Sequence, residues 1–116
     1  MSAYAMCNLF PTGLNEDILT YIEKVQDTFA MFGGRFLVHG ARTEVVEGEW
    51  PGDVVVVEFP DMDSVKAWYA SPAYQEILPL RTDHIEGSLL FVDGVAADYD
   101  ARRTAAELRA ATAPGR

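Results

Sequence analysis

An α+β domain of order β-α-β-β-α-β, followed by one appended helix, is the fold this chain predicts, and three observations predict it. Short strand-compatible apolar runs alternate with stretches of helical periodicity over residues 1–98, prolines and glycines mark their boundaries, and the two middle strand candidates follow one another with no helix between them. That order is the split βαβ arrangement, a four-stranded antiparallel sheet with both crossover helices on one face, as in a ferredoxin-like protomer.

Each element has its own warrant. Ser2 to Phe10 is an apolar run stopped by Pro11 and Gly13, and it makes the first strand. Asn15 can cap a helix whose first turn carries Glu16 and Asp17, and Ile18, Ile22, Val25 and Phe29 repeat at helical spacing until Gly33 and Gly34 close it and open the next strand. Arg35 to Gly40 with Thr43 to Val46 reads as a second strand bulged near Gly40. A turn over Gly48 to Gly52 then leads into Val54 to Phe59, which should pair with it as a hairpin. Pro60 stops that strand, Asp61 caps a helix through Ala70, and Ser71 with Pro72 restarts a short helical segment that Pro79 is expected to end. Gly87 to Val95 supplies the fourth strand. Ala101 to Ala111 then has good helix formers, with Ala101, Ala105 and Leu108 on one stripe and Pro114 and Gly115 closing it. So short a helix must dock or fray.

Composition bounds the function. At 116 residues and 49% hydrophobic the chain can build one modest core, divided here into a domain over 1–98 and a tail over 99–116. No apolar run approaches the ~20 residues of a membrane span, and the N-terminus lacks a secretory pattern. The expectation is a cytoplasmic protein with no membrane partner. Cys7 is the single cysteine and cannot form an internal disulfide. The net charge of −9, with −11 on residues 1–98 and +2 on the tail, argues against nucleic-acid binding.

The middle strands make a further demand. Val54, Val55, Val56 and Val57 put valine on both faces of the third strand. In the first, Ala3, Ala5, Cys7 and Leu9 lie on one side and Tyr4, Met6 and Phe10 on the other. The helices can cover one face only. Either a second copy covers the other, burying on the order of 1,000 Å² or more in an obligate homodimer, or the C-terminal helix folds across it.

Several segments also carry a resemblance. Gly33-Gly34-Arg35-Phe36-Leu37-Val38-His39-Gly40, Glu47-Gly48-Glu49-Trp50, Val56-Val57-Glu58-Phe59-Pro60 and Ala67-Trp68-Tyr69-Ala70-Ser71-Pro72-Ala73-Tyr74-Gln75, then Leu80-Arg81, resemble the domain of unknown function 1330 family over about residues 3–95. The resemblance implies a dimeric α/β barrel in which two ferredoxin-like protomers pack sheet against sheet. It implies no reaction, since the wider superfamily holds cofactor-free monooxygenases, muconolactone isomerases, haem enzymes and ligand-sensing regulators.

No nucleotide, zinc, haem-attachment or serine-hydrolase motif is present, and two histidines with one cysteine on three separate elements make a weak metal set, so no cofactor and no metal are expected. Alternation along the strands puts Arg35, Leu37 and His39 on one face of the second and Glu58 with Val54 and Val56 on one face of the third. The catalytic candidates are His39 or Glu58 as a general base and Arg81 as the two-pronged holder of a substrate carboxylate or enolate. Against this, Glu58 and an arginine can simply satisfy one another at the sheet edge, and His39 can be a hydrogen-bonded rim residue. Tyr69 and Tyr74 are candidate substrate contacts, with Trp68 as core, and Trp50 is a dimer anchor or a pocket lid. His84 reads as an exposed loop residue. The expectation is a homodimer binding a small organic molecule in a helix-sheet cleft, with cofactor-independent acid/base chemistry as its candidate activity. The alternative is a non-catalytic dimeric binding or interaction module.

Overall fold

In the computed structural model, which describes residues 1–112, strands β1 (Ala3–Phe10), β2 (Arg35–Val38), β3 (Asp53–Phe59) and β4 (Glu86–Asp93) form one sheet in the order β2-β3-β1-β4 with every neighbouring pair antiparallel. Helix α1 (Glu16–Ala30) crosses from β1 to β2. Helices α2 (Met62–Ala70) and α3 (Pro72–Thr82) together cross from β3 to β4, and α4 (Ala101–Ala111) follows the sheet. The α+β ferredoxin-like arrangement is therefore present, its second crossover split in two at Ser71. That residue ends α2 and caps α3, its Oγ accepting from the Tyr74 amide at 3.3 Å.

The start of α1 follows its chemistry. Asn15 Oδ1 accepts from the Ile18 amide at 2.9 Å, with Glu16 and Asp17 in the first turn. At the other end the Gly34 amide donates to the Phe29 carbonyl at 2.9 Å while Gly33 stands at φ 77°, where any side chain is strained and a Cβ would lie 2.8 Å from Pro60.

Three expectations need correction. The second strand is four residues long, and Thr43 to Val46 lies in the connection to β3, so the β2–β3 pair is antiparallel without a tight turn. A bulge falls between Phe36 and Val38, earlier than expected: Val38 pairs with Val56, so Leu37 is the extra residue and His39 moves to the opposite face from Arg35. Pro79 does not end α3. Proline gives up its own N–H bond and crowds the carbonyl four residues back, but its carbonyl still accepts: the helix runs on to Thr82 with the Asp83 amide donating to the Pro79 carbonyl at 3.0 Å.

The core lies between sheet and helices. Ala3 and Ala5 of β1 and Val57 and Phe59 of β3 meet Val25 and Phe29 of α1, Val65 and Trp68 of α2, and Tyr74 and Ile77 of α3. Phe29 is its hub, edge-on to Phe36, Phe59 and Trp68. The buried indole of Trp68 is satisfied, since Nε1 donates to Thr28 Oγ1 at 3.0 Å and that hydroxyl donates to the Val25 carbonyl at 2.6 Å.

Among the described residues no helix lies on the sheet's other face. Leu90 is 54% exposed there and Val92 and Phe10 are also exposed, while Val45, Val46 and Trp50 of the β2–β3 connection border a shallow hollow with Met6 and Val54. Helix α4 buries none of its residues and leaves Leu108 62% exposed, so the C-terminal helix neither docks nor covers the sheet. Its Asp100 cap accepts from the Arg102 amide at 2.9 Å; Pro114 and Gly115, expected to close it, lie outside the described residues.

Candidate functional site

Between α1, α3 and the helix-facing side of the sheet lies a cavity of about 230 Å³. Its mouth is marked by exposed residues, Leu14, Ile22, His39 and Asp53, and its interior by buried Val25, Phe29, Val57, Trp68 and Tyr74, with Ala5, Cys7 and Leu89 along the sheet. Almost everything that lines it is apolar. The polar groups inside are Arg81 and the phenols of Tyr21 and Tyr74.

Helical spacing puts Arg81 there. Tyr74, Ile77 and Arg81 are the buried residues of α3, at positions i, i+3 and i+7, which makes one stripe facing α1 and the sheet. Tyr74 Oη lies 2.9 Å from Tyr21 Oη of α1, and Arg81 Nη2 donates to Tyr74 Oη at 3.5 Å, a long contact. The guanidinium carbon lies 5.6 Å from the centroid of the Tyr21 ring. Arg81 is only 8% exposed, its Nε has no hydrogen-bond partner, and among the described residues no carboxylate pairs with it. A buried cation with so little compensation is costly, and such sites are enriched in function.

Burial, the neighbouring Tyr74 oxygen and the hydrogen bond between them all push the Tyr21 phenol far above its ordinary pKa, against an opposing Arg81, so it stays protonated. Burial works against the Arg81 cation; the opposing rise comes from charge on the Tyr21 and Tyr74 oxygens and from hydrogen bonds to them, and the charge part is absent while the phenols hold their protons. Burial likewise raises the Cys7 thiol, with Arg81 pulling the other way.

The expected residues separate. His39, Tyr74 and Arg81 come together around the cavity, His39 stacked on Phe36 with ring centroids 4.3 Å apart. The bulge is what carries His39 to this side. Glu58 lies on the opposite face, bound to Arg35 at 2.7 Å and reached by Tyr4 Oη at 3.5 Å; the Arg35 contact first, then smaller hydrogen bonds, hold its carboxyl below the usual range. That position sets it apart from the residues around the cavity. Tyr69 packs against Trp68, Tyr74 and Phe91 behind the cavity wall, and Trp50 belongs to the hollow on the open face. His84 sits with Asp17 at 2.9 Å. Among the described residues no three His, Cys, Asp or Glu side chains gather as a metal-binding group. Neither is any helix among them long and apolar enough to cross a membrane.

Tyr21 was not among the expected site residues. Its signal was present, since it lies three residues after Ile18 and four before Val25 on the buried side of α1, whereas Ile22, on the same helical repeat as Ile18 and Val25, is at the exposed mouth.

The model of the family described as a domain of unknown function, DUF1330, matches residues 2–95. The chain belongs to that family. Helix α4 lies beyond the matched DUF1330 region. Among solved structures, the chain is similar to RPA0582, a protein of unknown function from Rhodopseudomonas palustris, with a TM-score of 0.63 and 15% identity over 82% of this chain and 83% of that one. It is similar to SnoaB, a cofactor-independent oxygenase from Streptomyces nogalater, with a TM-score of 0.58 and 12% identity over 85% and 98% of the two chains. A NIPSNAP domain protein from Burkholderia xenovorans aligns with a TM-score of 0.52 and 16% identity over 86% and 100%. At these identities the likeness is one of fold. None of the curated proteins matches the chain.

Proposed function

We propose that this DUF1330 protein is a homodimer that binds a small, apolar-bodied organic molecule in the cavity between helices and sheet. The observation that carries the reading is the cavity itself, a largely apolar space lined by a buried arginine that has no acidic partner among the described residues. Pockets with an apolar wall and a few convergent polar groups are the usual form of small-molecule sites. The dimer half rests on the open face, where Leu90, Val92, Phe10 and Trp50 remain exposed and α4 gives no cover.

Acid/base turnover is the narrower extension of this reading. In it His39, at the mouth, is the base, Arg81 holds the developing enolate or carboxylate, and Tyr74 contacts the substrate. Glu58 is not carried into that set. The position of Glu58 on the far face favours the second reading, a dimeric binding module without catalysis, since among the described residues the carboxylate that lines the cavity, Asp53, stands exposed at its mouth.

A thermal-shift screen of small metabolites on the wild type and on Val55→Phe, which fills the cavity from the sheet, tests the binding claim. A ligand at 100 times its dissociation constant stabilises by about 2.7 kcal/mol, and the filled variant should lose that shift. Shifts that survive in Val55→Phe place the ligand elsewhere, and a library with no shift at all defeats the reading. Turnover of a hit that His39→Ala abolishes without weakening binding selects the enzyme over the module.

A further inference from the structure

The cavity's dimensions and its lone buried charge define a ligand class, an inference that rests on the binding reading above. We propose that the cavity takes a single-ring organic monoanion whose oxyanion is held by the Arg81 guanidinium and by the hydroxyls of Tyr21 and Tyr74, with the ring among Ala5, Val57 and Trp68.

Size comes first. An apolar cavity of about 150 Å³ accommodates one benzene ring, whereas drug-sized ligands fill roughly 300 to 1,000 Å³. At about 230 Å³ this cavity has room for one ring and a short polar substituent, and not for a fused polycycle. Charge comes second. Among the described residues Arg81 is the one arginine or lysine lining the cavity, no carboxylate is paired with it, and Nε is unbonded. One oxyanion would neutralise that charge in a low-dielectric space; a dianion would leave a net negative charge buried beside apolar walls. Donors come third. Arg81 and the protonated Tyr21 phenol have hydrogens to donate, and the long 3.5 Å contact from Arg81 to Tyr74 is weak enough to be replaced by a charge-assisted bond. A neutral amide of the same shape would leave the guanidinium uncompensated, the kind of mismatch that polar sites reject most strongly.

Carboxylates and phenolates share this chemistry, and calorimetric titration of the full chain separates them. The probes are benzoate and 4-nitrophenolate as monoanions, benzamide as the neutral isostere of benzoate, terephthalate as the dianion and 2-naphthoate as the oversized acid. At least one of the two monoanions should bind, about 10- to 100-fold more tightly than benzamide, terephthalate or 2-naphthoate, and which one binds names the oxyanion source. Arg81→Met should remove that preference while leaving benzamide unaffected, and Tyr21→Phe should weaken the monoanion severalfold. Arg81→Lys, which keeps charge and loses the fork, should retain part of it. If benzamide binds as well as benzoate, the cavity is a site but the anion class is wrong. If 2-naphthoate binds best, the size argument fails. If no probe binds, while a ligand from the thermal-shift screen does so in a Val55-dependent way, the class is overturned and the binding reading survives; if neither binds, both fall.

Discussion

Replacing Arg81 by methionine should make the ligand-free protein more stable. The side chain is 8% exposed, so its guanidinium has given up nearly all of its hydration, and it recovers little. What it makes is one 3.5 Å contact to Tyr74 Oη and a ring contact at 5.6 Å to Tyr21, with Nε unbonded. Generously weighed, these return about 1 kcal/mol for the hydrogen bond and about 1 to 2 kcal/mol for the cation over the ring, against a desolvation cost of several kcal/mol. Methionine fills similar length with an adaptable apolar chain, and the two phenols keep their bond to each other at 2.9 Å. The net expectation is a gain of about 1 to 2 kcal/mol, in the lower part of what replacement of buried ion pairs by apolar residues gives. For a chain of this size that raises Tm by roughly 3 to 12 °C. Urea unfolding and calorimetry of the two proteins without ligand measure it. A loss of more than 1 kcal/mol would refute the reasoning, because it would make Arg81 a structural residue whose interactions repay its burial.

Other outcomes follow from the same geometry. Thr28→Val strips the buried Trp68 N–H of its acceptor and should cost about 1 to 3 kcal/mol, read from urea midpoints. Gly33→Ala places a side chain at φ 77° with its Cβ 2.8 Å from Pro60, and should cost at least about 1 kcal/mol in the same assay. If the proposed dimer forms through the open face, Leu90→Glu should give a folded monomer, seen as a halved mass by light scattering with an unchanged far-ultraviolet spectrum; a wild type already of monomer mass, or a variant of unchanged mass, would contradict that interface. Glu58 is held below its ordinary value of 4.5 by Arg35, so its contribution is fully present above that pH and is lost as pH falls through the folded-state value. Wild type and Glu58→Gln should therefore differ in urea midpoint at neutral pH and converge in acid. A chain ending after Asp98 should unfold within about 0.5 kcal/mol of the full chain, since α4 buries nothing.

What could be read from the chain and what could not divide along a physical line. Caps, strand runs and the order of elements depend on neighbours in sequence, and Asn15, Asp61, Ser71 and Gly33 act where local chemistry puts them. The site depends on two events that local rules miss. A one-residue bulge in β2 reverses the face of His39, and strict alternation has no way to register it. The persistence of α3 past Pro79 places Arg81 on a helical stripe with Tyr74, where a break at that proline would have left it in a loop. Tyr21 was hidden for a different reason. Its partner is 53 residues away, and only tertiary packing of α1 on α3 joins the two phenols. Glu58 was legible as one of two alternatives, and its register opposite Arg35 in the β2–β3 ladder decides for the surface ion pair.

The most direct test of the account is a crystal structure of the protein with 4-bromobenzoate, located by the anomalous signal of its bromine. The account predicts one bromine per chain among the apolar side chains of the helix-sheet cavity, with the carboxylate against Arg81 and the Tyr21 and Tyr74 hydroxyls. Bromine found only outside, with the cavity shut and the guanidinium turned toward solvent or a protein carboxylate, would contradict it.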